Sequence, residues 1–191
     1  MRRISTATPG DVAELAAVAA ATFPLACPPT STPANMAAFI AANLAPEHFA
    51  AYLADPDREV LVARNGAGAA PIVGYAMLIR GAPTDTDVAR VLPRHPVVEL
   101  SKIYVLPDAH GGPVAAALMN AAIDDARDHG AGTVWLGVNQ KNERAQRFYR
   151  KHGFTVSGTK SFRLGDATED DYVMTRALDA LHPGGGQRQQ P

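Results

Sequence analysis

Cysteine occurs once, at Cys27, which excludes an internal disulfide and fits a reducing compartment. Aromatic residues make up only 6% of the 191 residues, and charge of neither sign is in excess, with a formal net charge of −1. No global basic field therefore points to nucleic acid or an anionic membrane. No uncharged apolar run approaches the ~20 residues that span a bilayer. The start, "MRRISTATPGD", turns polar before a signal-peptide core could form, so a soluble cytoplasmic protein is the default expectation. Two familiar phosphate loops are missing: there is no G-x-x-x-x-G-K-[ST], and no G-x-G-x-x-G after a strand. The six histidines are scattered, without H-x-x-x-H spacing or matching cysteines, so neither a metal nor a covalent intermediate is expected. Cys27 has no obvious activating base and reads as a buried or incidental thiol.

What is present is an ordinary globular balance, 47% apolar and 19% charged. The length suits one domain, expected over residues 1–180. The tail "HPGGGQRQQP" has nothing to bury, and disorder is expected over residues 181–191. "RRISTAT" reads as a first strand. Thr8-Pro9 and Thr32-Pro33 each place a capping hydroxyl before a proline, the start signal of a helix. The stretch between those helices, "FPLACPPTST", reads as a proline-broken connection, and "APEHFAAYLAD" as a third helix.

The grammar then becomes extended. "REVLVAR" and "IVGYAMLIR" read as a β-hairpin, residues 81–96 as a polar excursion, and "VVELSKIYVL" as a third strong strand. A turn, "HGGP", leads into a helix over about residues 113–129, with Pro113 expected at its first helical position. Ala115, Met119, Ala122, Ile123 and Ala126 share one face of that helix, opposite Asn120, Asp124 and Asp128. "TVWLGV" is a buried strand, "NERAQRFYRKHG" a helix closed by Gly153, and "FTVSGTKSFRL" with "DYVMTRAL" a last strand pair. The order predicts a mixed α/β single domain around a central sheet. A helix start just after a strand aims free N–H groups and the positive dipole end at one place, an anion site; it also serves as a plain turn.

The run "ELSKIYVLPD", glycine turn, "VAAALMNAAIDDAR", "VWLGV", "NERAQRFYRKHGF" resembles the GNAT superfamily of N-acetyltransferases. That resemblance implies the GNAT fold, a mostly antiparallel twisted sheet flanked by helices, and acetyl-CoA as co-substrate with no metal. The family's loop, written [QR]-x-x-G-x-[GA], begins here at His110, has Pro113 in its glycine position and ends at Ala115, so only the last position conforms. Asn142, Ala145, Phe148, Tyr149, Gly153 and Phe154 keep the family's downstream pattern. Pro113 removes one N–H that could face the pyrophosphate, and a hydrogen bond to a charged group is worth ~1.5–3 kcal/mol. The resemblance implies cofactor contacts at His110, Gly111, Gly112, Val114, Ala115 and Asn142, with Asn142 equally able to cap its helix.

It further implies a catalytic base at Glu99, whose side chain shares strand parity with Ser101, Ile103 and Val105. A structural carboxylate paired with Lys102 is the other use of such a residue. The N–H of Ile103 is implied as donor to the thioester oxygen, and Val105 as the partner of the pantetheine arm. Tyr149 is implied as the acid that protonates the leaving thiolate, or else packs in the core, a job more natural for its neighbour Phe148. "KSFRLGDATEDDYVM" and "ELSKIYVL" look like the PaiA-type spermidine/spermine acetyltransferases. A polyamine would meet an acidic rim, which Asp166, Glu169, Asp170 and Asp171 supply, Asp166 and Asp170 being the binding candidates; a solvated acidic loop explains them as well. Acetyl transfer to a protein or peptide amine and a noncatalytic acyl-CoA-binding module are the alternatives. A monomer and a homodimer fit the sequence equally.

Overall fold

The computed structural model describes residues 2–66, 70–93, 96–165 and 167–178. Seven strands form one sheet in the order β1-β2-β3-β4-β5-β7-β6. They are β1 (Arg2–Thr6), β2 (Arg58–Asn65), β3 (Ile72–Arg80), β4 (Val97–Val105), β5 (Thr133–Asn139), β6 (Thr155–Leu164) and β7 (Ala167–Ala177). Every neighbouring pair is antiparallel except β4 and β5, which run parallel. This is the fold class the sequence predicts. The anticipated disorder of residues 181–191 lies outside the described residues.

Six α-helices are described: α1 (Val12–Ala26), α2 (Pro33–Asn43), α3 (Pro46–Ala54), α4 (Thr86–Val91), α5 (Val114–Asp128) and α6 (Glu143–Lys151). α5 covers one face of the sheet, burying Leu118, Met119, Ala122, Ile123 and Ala126 against Ala76, Leu100 and Leu136. α1 and α3 cover the other, where Leu15, Phe23 and Phe49 pack on Val62, Tyr75 and Met77. Helices on both faces explain why β2 and β3 read as nearly continuous apolar runs. At the edge, β6 alternates: Thr159, Ser161 and Arg163 face solvent while Lys160, Phe162 and Leu164 turn inward.

Three local readings need correction. α1 continues through Pro24 to Ala26, so the connection starts at Cys27 and not at Phe23. An interior proline costs ~3 kcal/mol in a helix, but tertiary packing outweighs it here. Phe23 is buried and stacks on Phe39 with ring centroids 4.4 Å apart, which pins the last turn. Second, the excursion over residues 81–96 contains α4, capped by Asp85 accepting from the N–H of Asp87 and Val88. Its Val88 is fully buried with Trp135, Val97 and Val173.

Third, Pro113 is the N-cap residue of α5, one place before the position expected. Its carbonyl accepts the N–H of Ala117 at 2.9 Å, so the helix proper begins at Val114.

Candidate active site

β4 and β5 pair at only three positions: Val97 with Thr133, Val98 with Val134 and Glu99 with Trp135. Beyond them β4 stays with β3 as far as Val105, while β5 follows β7 as far as Asn139. The two central strands therefore part, and from Leu100 onward one edge of β4 has no strand partner among the described residues. A cavity of about 470 Å³ occupies this opening. It runs from the turn before α5 and from Arg144 and Tyr149 of α6 to Glu99, Lys160 and Asp171.

The direction of the β4 peptide groups follows from two hydrogen bonds. Leu106 donates its N–H to Val73 of β3 at 2.8 Å, while the carbonyl of Val105 accepts from His110 Nε2, also at 2.8 Å. Val105 thus turns its peptide groups away from β3, and strand alternation gives Ile103 the same orientation, into the gap. For an arm laid alongside β4, the N–H of Val105 is open, whereas one lone pair of its carbonyl is already taken.

A carbonyl only accepts, so Nε2 of His110 carries hydrogen. The ring's Nδ1 stands 3.5 Å from Arg144 Nη1, which only donates. A guanidinium, permanently charged, therefore adjoins the loop whose first position lacks one.

In the turn itself Gly111 has φ +72°, a left-handed conformation that glycine adopts without strain. The first-turn N–H groups of Val114, Ala115 and Ala116 have no intrahelical acceptor, because the carbonyls four residues back precede the helix and Pro113 has no side-chain oxygen to cap them. The missing proline N–H belongs to the cap, ahead of these three donors. The arrangement fits a pyrophosphate: backbone donors without intrahelical acceptors at a helix start, the dipole's positive end and a nearby arginine. Asn142 caps α6, its Oδ1 accepting from Ala145 N at 3.0 Å, and its amide reaches Ala26 O at 3.5 Å.

At the other end, a β-bulge overturns the expected parity of Glu99. Leu78 pairs with Leu100 but Met77 with Lys102, leaving Ser101 as an extra residue. Glu99 consequently faces the same side as Lys102 and Tyr104, opposite Ile103 and Val105. No sequence pattern announces this bulge. Burial raises the pKa of the Glu99 carboxyl, opposed by the charges of Lys160, Lys102 and Arg58. Burial lowers that of Lys102 to about 8, and its ammonium lies 5.5 Å from the centre of the Tyr52 ring.

Tyr149 lines the cavity, and burial pushes its phenol up to about 12, so it holds its proton at neutral pH. Phe148 and Tyr149 are both half-buried and both line the cavity; the fully buried aromatic beside Tyr149 is Phe154. Cys27 also lines the cavity, but burial raises its thiol to about 11, away from thiolate character.

The acidic residues of β7 divide by strand alternation. Asp170 is exposed on the face away from the cavity, and Asp166 lies outside the described residues. Their neighbours Glu169 and Asp171 are the buried acids that line the cavity. Glu169 is fully engaged, by Lys141 at 2.9 Å, Asn139 at 3.3 Å and Thr30 at 3.4 Å. Asp171 is raised to about 6 by burial, opposed by Lys160 and reinforced by Glu169 and Asp170. Period two along "EDD" was the signal that separates Asp171 from Asp170. Among the described residues no group of three His, Cys, Asp or Glu is placed to hold a metal ion, and no helix is long and apolar enough to cross a membrane.

Residues 22–154 match the Acetyltransferase (GNAT) family. An uncharacterized N-acetyltransferase of Mycobacterium tuberculosis is 55% identical over 168 residues, covering 88% of this chain and 98% of its own. Among solved structures, the PaiA N-acetyltransferase of Thermoplasma acidophilum in complex with coenzyme A superposes with a TM-score of 0.72 at 17% identity, over 93% of this chain and 99% of that one. The ribosomal-protein-S18-alanine N-acetyltransferase of Escherichia coli gives 0.66 at 18% identity, over 96% and 97%. At such identities these two show likeness of fold alone. With the family match covering most of the chain, and with the Mycobacterium tuberculosis relative, the chain belongs to the acetyltransferase (GNAT) family and is an acetyl-CoA-dependent N-acetyltransferase.

Proposed function

We propose that the protein transfers the acetyl group of acetyl-CoA directly to a primary amine of a small acceptor, polyamines being the first class to test. The observation that carries this reading is the single cavity joining the α5 turn, through the β4–β5 gap, to the buried carboxylates. The pyrophosphate rests on the N–H groups of Gly112, Val114 and Ala115, and the thioester reaches back along β4. Acetyl-CoA supplies an activated acyl group whose carbonyl oxygen gains negative charge during attack.

Ile103 N–H is the donor for that oxygen. Glu99, directly or through water, takes a proton from the attacking nitrogen, which as an aliphatic ammonium has a pKa near ~10.4 and must be deprotonated. Tyr149 gives its proton to the departing sulfur. The N–C bond forms first and the C–S bond then breaks; the nitrogen's second proton returns through water to Tyr149, Glu99 releases its proton to solvent, and the products are an amide and coenzyme A. With Lys102 and Lys160 facing the same end, the cavity suits one ammonium group at a time better than the middle of an extended polycation.

The test is a calorimetric titration with acetyl-CoA, adenosine monophosphate serving as control, followed by thiol-release assays on spermidine, small monoamines and short peptides. One-site micromolar binding and turnover of a small amine support the reading. Labelling of a lysate protein, with small amines ignored, moves the acceptor class to proteins. Failure of the folded protein to bind acetyl-CoA overturns the cofactor assignment.

A further inference from the structure

Asp171 stands in β7 opposite Asn139 of β5 and Lys160 of β6, and is 7% exposed. Its Oδ1 is shut off from solvent and has no hydrogen-bond partner among the described residues. Glu169, two residues earlier on the same face, has three donors and is satisfied. A merely structural buried acid would have its acceptors satisfied as Glu169 does, since an unsatisfied buried acceptor is costly. Gly137 of β5 makes room beside Asp171 for the side chain of Lys160. A Cβ there would stand 3.4 Å from Asp171 Oδ2 and only 2.7 Å from Cε of Lys160, whose chain lies across the glycine. Lys160 is also the foremost charge acting on both Asp171 and Glu99, and all three line the cavity.

We propose that Asp171 is the residue that receives the acceptor's primary ammonium group, holding it beside Glu99 before deprotonation. This rests on the acetyltransferase reading above and assigns the two buried acids different tasks. The incoming ammonium displaces the Lys160 chain from over Gly137 and supplies the hydrogen bond that Asp171 lacks. Glu99 then takes the proton, and Asp171 keeps the nitrogen close.

The experiment uses the complex with coenzyme A and n-butylammonium as probe. Coenzyme A is titrated first, into wild type, Asp171→Asn and Asp128→Asn, the last a control on the exposed end of α5. Butylammonium follows. The expected result is saturable binding to wild type and to Asp171→Asn at least about tenfold weaker, the scale of one charge-assisted hydrogen bond. Coenzyme A affinity stays equal in all three, the control keeps wild-type amine affinity, and the melting temperature of Asp171→Asn is not lowered. Equal amine affinity in wild type and Asp171→Asn, or no saturable amine binding to wild type, overturns the proposal. Failure at the coenzyme A step overturns the underlying reading instead, before any amine is added. Should Asp171→Asn not fold, carboxyl 13C spectra of the wild-type complex decide. Butylammonium must move the resonance of one buried aspartate, and a spectrum that does not respond sinks the assignment.

Discussion

His110 donates from Nε2 to the carbonyl oxygen of Val105 across 2.8 Å, tying the turn before α5 to the last residue of β4. The tie fixes the turn relative to the strand along which the acyl arm is laid. His110→Ala loses it, and one hydrogen bond of ~1 kcal/mol predicts acetyl-CoA binding weakened about fivefold. Arg144→Ala is expected to weaken binding too, and to flatten its dependence on salt, because it removes a charge from the anion site. Calorimetry at two ionic strengths reads both effects. Unchanged affinity in His110→Ala would show that the turn holds its shape without the tie.

Glu99→Gln should lower kcat by at least about 100-fold while leaving acetyl-CoA affinity intact, the range for loss of a general base. The pH profile adds a second signature. Burial raises the Glu99 pKa, so the ionised base appears at higher pH than for an ordinary carboxylate, and activity climbs through that range. The same rise must be missing from whatever activity remains in Glu99→Gln. A residual profile with the wild-type rise assigns the base elsewhere.

Tyr149→Phe keeps the ring that packs on Phe154 and Phe148 and removes only the hydroxyl. The expected outcome is a fall in kcat of about 100-fold, melting temperature and acetyl-CoA affinity being unchanged. A donor acid working near 12 must also be least needed when the leaving group is a weaker base than a thiolate. A variant as active as wild type would leave Tyr149 a packing aromatic.

Asn142→Ala separates two roles that the sequence left open. The structure gives Asn142 the cap of α6, bonded to Ala145 N at 3.0 Å. Loss of such a cap costs ~1 kcal/mol of stability. The substitution should therefore lower the melting temperature by a few degrees for a chain of this size. A large loss of acetyl-CoA affinity at unchanged stability would instead assign Asn142 to the cofactor.

Where the sequence was a good guide, one residue type met one physical demand. The capping pair Thr32-Pro33, the apolar stripe of α5 and the antiparallel hairpin of β2 and β3 all have local causes, whereas Thr8-Pro9 opens a single 3-10 turn, the Thr8 hydroxyl donating to Asp11, and α1 starts only at Val12. The misses have non-local ones. Pro24 stays helical because Phe23 is stacked on Phe39, sixteen residues downstream by sequence number and invisible to local propensity. The face presented by Glu99 depends on a single extra residue, Ser101, whose place is set by pairing with β3. Lys160 was passed over because its importance comes from lying across Gly137, a contact between strands that β7 separates in the sheet. Asp85 before Val88 was legible as a short helix start, and the polar composition around it hid the signal.

Asp171 also leaves a mark on stability. Its folded-state pKa is raised from 3.8 to about 6, so between these values the folded protein holds a proton that the unfolded chain has released. Stability from this group is complete below about pH 3.8 and is lost as pH rises through about 6. Asp171→Asn carries no such titration. The melting temperature of the variant relative to wild type should therefore increase from pH 4 to pH 7 and level off above it. The groups facing Asp171 set the size of the effect: Lys160 holds the carboxylate charged, while Glu169 and Asp170 oppose it. Lys160→Met, which removes the nearest cation, should move the midpoint to higher pH. Thermal melts of wild type and the two variants across that range check the sign. A difference that does not change with pH would mean that Asp171 titrates as an ordinary carboxylate, already satisfied in the folded protein.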